Sequence, residues 1–389
     1  MNRDLGFVHT VKREIHRIVS RPIYIFGMIF VPLFVAFFLL DFLGAGLPSR
    51  IPCAVVDLDK TEMSRELTRT LGTMQNCDVQ YNVDSYTEAM KLVREQKVYG
   101  FFVIPENFAN DALSLKKPEI TLYSNYVFFI PGTLLYKGML TTATLAKASL
   151  MSGVLAGVGI PETEVHNMMM PIDTEAHPLN NPWLSYNIYL TNSFAPCLLA
   201  LMILLMTSYS IGMEIKHGTS QDWIKNAHGS MLIALLGKMI PHTIVFFVVG
   251  CMIDAMLYGY AGFPMNCSIW QILLTMLLFV VACQSFALFV FMLLPNLRLA
   301  LSVCSLVGIL SFSIAGFSYP AEQMYGAVEI FTWIIPIRYY FMIYIDQVLN
   351  GIDLYYSRYY YAALFVFMLL PFTLWRRLKH RCENPVYVP

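Results

Sequence analysis

Charge is scarce in this chain. Of its 389 residues only 13% are Asp, Glu, Lys or Arg, against about a quarter in an ordinary soluble domain. A surplus of either sign is missing too: 26 Lys+Arg face 26 Asp+Glu, which argues against a general nucleic-acid binder. No G-x-x-x-x-G-K-[ST] phosphate loop occurs, so the chain should not bind and hydrolyse ATP alone. There is no H-E-x-x-H and no G-x-S-x-G. There is no C-x-x-C, so a zinc site lacks support, and the eight histidines are scattered. These absences point away from an enzyme in its own right. Disorder is excluded as well, because 57% of the chain is hydrophobic and 14% aromatic.

Long apolar runs take the place of charge. A helix crossing a hydrocarbon layer ~30 Å thick needs about 20 mostly apolar residues. Six stretches qualify: 22–43, 193–213, 232–258, 269–294, 299–317 and 359–375. The first is longer than the ~7–15-residue core of a cleaved signal and follows a helical segment, so it reads as a retained span. With six spans both termini share one side. Segments 1–21 and 376–389, the loop after the second span with Lys238 just inside the third, and the turn before the fifth carry 13 Lys+Arg against 5 Asp+Glu. The basic side is expected to be the cytoplasm.

Residues 44–191 then fall outside. Strand patterns at Ile51–Asp57, Cys77–Val83, 98–104 and 119–124 alternate with helical patterns at 61–74, 85–96 and 106–115. Thr61 and Ser85 stand at cap positions, the latter in capping-box spacing with Glu88. The alternation predicts an α/β domain with a partly parallel sheet, closed by a long helix over 134–159. Its Gly153-x-x-x-Gly157 reads as packing near a helix end. Cys53 and Cys77 open neighbouring strands, where an oxidising compartment would allow a disulfide; two buried thiols are the alternative. The expected architecture is an α-helical polytopic membrane protein with six transmembrane helices and an inserted α/β extracytoplasmic domain between the first two.

Asp254 is a carboxylate within a run. Intramembrane charges default to a functional reading, but Tyr258 and Tyr260 follow closely, so the carboxylate is expected to reach water at the outer boundary. The N-terminal segment places Phe7, Val8, Val11, Ile15, Ile18 and Val19 on one helical face and Lys12, Arg13, His16 and Arg17 mostly on the other. That pattern predicts an interfacial helix with its apolar side in the leaflet and its basic side on headgroups.

The loop after the second span is more specific. Gly218 breaks the helix leaving the membrane, and Thr219 or Ser220 can cap a short new helix bearing Trp223 and Ile224. Exposed apolar anchors rimmed by charge suit a protein contact. Further on, 321–335 and 337–349 are each too short to span, with Pro320 ahead of them and Pro336 breaking the helix between. They can dip in and return.

Together these residues resemble the membrane subunit of ABC-2 type transporters, in the drug- or amphiphile-exporting subgroup with a large extracytoplasmic domain. The resemblance is carried by Glu214-x-x-x-Gly218-Thr219, by Gly237-Lys238 some 18 residues on, by the broken segment 320–350, and by the order of elements. The family pattern is Arg-Glu-x-Gly-Thr-x-Glu with a later Pro. Here Glu214 stands two residues further from Gly218, Asp222 takes the place of the second acid, and Ala227-His228 replaces the Pro. The resemblance implies a bacterial inner-membrane permease half of an exporter for a hydrophobic or amphipathic small molecule. Its termini would be cytoplasmic. Its coupling loop, 214–230, would contact a separate ATP-binding cassette ATPase through Glu214, Lys216, Gly218, Thr219, Asp222, Trp223, Ile224 and Lys225. ATP and Mg²⁺ would belong to that partner and no cofactor to this chain. A second permease, identical or a sister chain, is implied, and members of this kind often work with a periplasmic adaptor leading to an outer-membrane channel. Two other classes stay open: a secondary carrier or channel, and a membrane-anchored envelope sensor or assembly protein.

Overall fold

The computed structural model describes residues 6–114, 116–157, 179–181, 184–317 and 319–385, with side chains not described at 153–157. The Gly153–Gly157 pair and the expected helix end at Gly159 therefore lie outside the described side chains or residues. The chain divides into two compact units, Met1–Gly46 with Pro178–Pro389, and Leu47–His177.

The first unit is helical. A short helix α1 (Phe7–Ser20) ends at Arg21, and Pro22 opens α2 (Pro22–Phe42). Among the described residues five more helices are long and apolar enough to cross a membrane: α7 (Asn187–Lys216), α9 (Met231–Tyr260), α10 (Ile269–Leu293), α11 (Leu297–Ile314) and α14 (Arg358–Glu383). The second, third and sixth run beyond the apolar windows read from sequence, because a helix need not stop where its hydrophobicity does. Between α7 and α9 lies α8 (Ser220–Asn226). On α2, Phe26, Phe30, Phe34, Phe38 and Phe42 recur every fourth residue and stack in sequence, centroids 5.4–6.4 Å apart, on an exposed face. Residues four apart share a helix face, and an outward apolar face of this kind suits lipid.

Close approach between spans is arranged by glycine. A side chain at Gly212 of α7 would meet Leu297 of α11, and one at Gly308 of α11 would meet Leu201 of α7. Each helix thus offers a notch to a leucine of the other. The break expected at Pro336 is present as a bend of 83° between α12 (Gly326–Trp333) and α13 (Pro336–Leu349). Pro336 stands at the first position of α13, where its missing N–H costs nothing. Pro320 precedes a single 3₁₀ turn, Ala321–Gln323, so the first half-helix starts later than the sequence implied.

The second unit carries a four-stranded sheet in the order β2-β1-β3-β4. Strands β1 (Ile51–Asp57), β2 (Cys77–Val83) and β3 (Gly100–Ile104) are parallel, and β4 (Thr121–Ser124) is antiparallel to β3. Helices α3 (Glu62–Thr73) and α4 (Tyr86–Arg94) make the crossovers between the parallel strands, and α5 (Phe108–Leu113) lies between β3 and β4. Thr61 and Ser85 do cap, accepting from the Ser64 and Glu88 amides at 3.3 and 3.2 Å. The long helix α6 (Phe129–Gly157) packs on the sheet through Leu135 and Met139. Gly138 lets α6 come close, since a side chain there would strike the Cys77 sulfur. Cys53 and Cys77 are buried as free thiols here, one of the two arrangements the sequence left open. They are hydrogen-bonded to each other. That bond, with burial, pushes Cys53 up; it draws Cys77 down against the effect of burial.

Candidate functional site

The sequence pattern that named the loop after the second span also placed Glu214 one turn before the end of α7. There the backbone delivers it to the interior: its side chain is fully buried. A buried carboxylate is costly unless paired and hydrogen-bonded, and Glu214 is surrounded by donors. Arg13 Nη2 donates to it at 2.8 Å and Lys238 Nζ at 3.0 Å. Both Arg17 Nη atoms and the Thr219 hydroxyl donate to it as well. Thr219 reaches back because Gly218 takes a left-handed turn (φ 68°) that folds the chain over the end of α7.

A second buried carboxylate, Glu14 of α1, completes the network. It accepts from Lys238 Nζ at 2.7 Å and lies 2.9 Å from His242 Nε2. Three cations and two carboxylates, with His242, are thus contributed by α1, α7 and α9. Lys238 and His242 are a turn apart on α9, so they share a face. The Tyr24 ring stands edge-on to His242, centroids 5.7 Å apart. Burial alone would raise the Glu14 carboxyl. The Lys238 ammonium and the His242 ring outweigh it, and the pKa falls from 4.5 to about 2.

This arrangement corrects the expected role of α1. Its polar side does not lie on headgroups: Thr10, Glu14 and Ile18 are buried, and Arg13 and Arg17 turn inward to Glu214. Phe7, Val8, Ile15 and Val19 remain exposed. The docking surface on α9 is shaped by Gly237, where a side chain would collide with Thr10.

The short helix also differs from expectation. Trp223 and Ile224 are buried, not exposed anchors. The Trp223 indole donates to the Ala234 carbonyl at 3.1 Å, and Lys238 Nζ sits 5.4 Å from the ring centroid. The hydroxyl of Ser220 and the amide of Gln221 donate to the carbonyls of Cys382 and Glu383 in α14, both at 2.8 Å. The loop after α8 turns back on α1, with the Asn226 carbonyl accepting from the Gly6 amide at 2.7 Å. Amphipathicity is therefore inverted relative to the reading of an apolar knob. The apolar side of α8 is glued to the bundle, and Gln221, Asp222 and Lys225, with Lys216, His217 and Gly218 ahead of them, form the exposed rim. Of the eight residues singled out in sequence, Glu214 and Thr219 belong to the ion network and Trp223 and Ile224 to the core beneath it. Lys216, Gly218, Asp222 and Lys225 are at the surface.

Sequence reasoning missed Arg13, Glu14, Arg17, Lys238 and His242 as members of one site. One signal was available. Glu14 is the only acid on an otherwise basic helical face, and Lys238 and His242 are polar residues at i, i+4 within a span.

Two outcomes are expected. Replacing Glu214 by Gln leaves Arg13, Arg17 and Lys238 without their shared counter-charge, a loss of about 3–5 kcal/mol by analogy with other broken buried pairs. A lowered melting temperature and rapid tryptic cleavage within α1 should report it, whereas Lys225→Gln on the exposed rim should change neither. The second concerns acid. A carboxyl whose folded pKa is depressed stabilises the fold above its unfolded pKa and ceases to do so as pH falls through the folded value. Glu14 should therefore contribute a decline in melting temperature between pH 4.5 and about 2. A pH series on Glu14→Gln should lack that component.

A search of curated proteins found no match to this chain. The sequence profile of the ABC-2 family transporter protein, by contrast, matches residues 22–376, which include α2, the inserted unit, the short helix over the ion network and the bent pair. A profile spanning that much of the chain settles the relationship: this protein belongs to the ABC-2 family of transporters.

Proposed function

We propose that this permease is the membrane half of an exporter driven by a separate ATPase. Membership of the family implies an ATP-binding cassette ATPase as partner, with nucleotide hydrolysis on that subunit. The observation that carries the mechanical reading is the attachment of α8. Its exposed rim, Gln221, Asp222 and Lys225, is free to meet a soluble subunit. Its buried side is tied to α7, α9 and α14 and, through Glu214, to α1. A push on the rim is therefore delivered to several spans at once. A loosely hinged loop would absorb it. The exposed residues of the loop, not Trp223, are the contact surface in this reading.

The direction is outward, and the cargo is a hydrophobic or amphipathic small molecule that enters from the cytoplasm or the inner leaflet. Support comes from the apolar character of the spans and from the large unit inserted between α2 and α7. In this reading both termini and α8 lie in the cytoplasm and the inserted unit outside, which the charge asymmetry supports. A second permease, identical or a sister chain, completes the pathway, and the inserted unit is the natural docking place for a periplasmic adaptor. The network of Glu214 and Lys238 favours this reading over an ion-driven carrier, because it couples helices to one another and leaves no line of acids across the bundle.

Purified alone, the permease should show no ATP hydrolysis. Cysteines placed at Asp222 or Lys225 should crosslink to the ATPase subunit, while one at the buried Trp223 should not. Vesicles holding both subunits should move an amphiphile only with ATP. Transport that runs on an ion gradient without nucleotide would defeat the proposal. The outside placement also exposes Cys53 and Cys77 to dithiol-oxidising enzymes, which would take two electrons and two protons from the adjacent thiols to form a disulfide. Protein taken from the envelope and unfolded in denaturant should then resist alkylation at both positions until reduced. Free labelling of both without reduction would leave the pair as buried thiols.

A further inference from the structure

Asp254 plays no part in the ion network. It lies on α9, six residues before the end of that span, and was expected to reach water there. It does not: it is only 7% exposed, and its Oδ2 is buried with no hydrogen-bond partner. Among the described residues no Lys, Arg or His forms an ion pair with it. The neighbourhood is aromatic. Tyr258 follows one turn on from Asp254 in the same helix, and it packs in the clusters that hold Tyr340 and Tyr344 of α13. The Tyr258 hydroxyl donates to Asn192 Oδ1 of α7 at 3.2 Å, and Tyr258 packs beside Tyr344. Tyr340 is in turn held against Phe279 of α10, ring centroids 4.5 Å apart.

An ionised carboxylate without a counter-ion is expensive in such surroundings. Its natural complement is a cation brought from outside. Calcium or magnesium would require six or more oxygen ligands, or several retained waters. Here one carboxylate stands among phenol rings, and the nearby amide oxygen of Asn192 already accepts from Tyr258. Aromatic faces beside an acid suit a bulky organic cation, whose charge is spread and weakly hydrated.

We propose that Asp254, with Tyr258, Tyr340 and Tyr344, forms the recognition site for the positively charged group of an organic cation, so that the exported cargo is a cationic amphiphile. This rests on the exporter reading, since a buried site is reached only when the spans separate. The bend ahead of Pro336 gives the site its shape, because α13 brings two of the three tyrosines.

The test is equilibrium binding of tritiated tetraphenylphosphonium, whose charge is permanent, to the full-length permease in lipid nanodiscs. Saturable binding is expected, displaced by benzyltrimethylammonium but not by uncharged triphenylphosphine oxide. Asp254→Asn should weaken it about tenfold or more, a factor equivalent to about 1.4 kcal/mol, and Asp254→Glu should largely restore it. Melting temperatures of both variants establish that they fold. Absence of saturable binding, equal displacement by the uncharged compound, or wild-type affinity in a folded Asn variant would each overturn the proposal. The wild-type competition decides the matter even where a variant does not fold. ATP-driven transport of an uncharged amphiphile by the permease with its ATPase tests the exporter reading separately, because Asp254 is not needed for it.

Discussion

One buried carboxylate organises the end of the bundle that meets the ATPase in our reading. Glu214 has no contact with water, and a charge in that position is tolerable only while its donors stay in place. Its partners come from α1, from the turn after α7, and from α9. Satisfying one side chain therefore fixes three elements relative to one another. Glu14 extends the same logic by sharing Lys238 and recruiting His242. The network is specific in a way that apolar packing alone is not: sliding α1 by a residue would leave arginines and acids without partners. Gly237 and the core around Trp223 give the network its shape, and the hydrogen bonds set its register.

The same constraint explains why α8 is a lever and not a loop. A seven-residue helix has too few internal hydrogen bonds to persist alone. Its indole and two side chains at its start bond to α9 and α14, so the surrounding structure supplies the order it lacks. Its exposed rim is then free to vary in chemistry without loosening the attachment. Family membership supplies the partner and the energy source. The attachment supplies a physical route by which force from that partner enters the spans.

Much of the architecture could be read in the chain. The six spans were legible because the thickness of a hydrocarbon layer imposes a length that few soluble helices meet. The βα alternation was legible because Thr61 and Ser85 stand where caps are needed, and the bend at Pro336 because proline removes a donor. What escaped reading depends on pairs far apart in sequence. Arg13 and Glu14 looked like part of a headgroup-facing side because their partners, Glu214, Lys238 and His242, are about two hundred residues away. Trp223 looked exposed because its neighbours in the chain are charged, yet the helical period turns those charges outward and the indole in. Asp254 looked like a boundary residue because Tyr258 and Tyr260 follow it, although α13 packs over that region. In each case local chemistry gave the right kind of residue and the wrong neighbour.

The separation of these partners also bears on how the protein is made. Arg13 and Glu14 leave the ribosome long before Glu214, Lys238 and His242 are translated. During that interval α1 has nothing to dock against, and its charged side must face the membrane surface, as its sequence pattern would allow. Only when α7 and α9 have been made can it reach Glu214, Lys238 and His242. The amphipathic pattern of α1 thus serves a waiting state on the nascent chain, and the ion network serves the finished one.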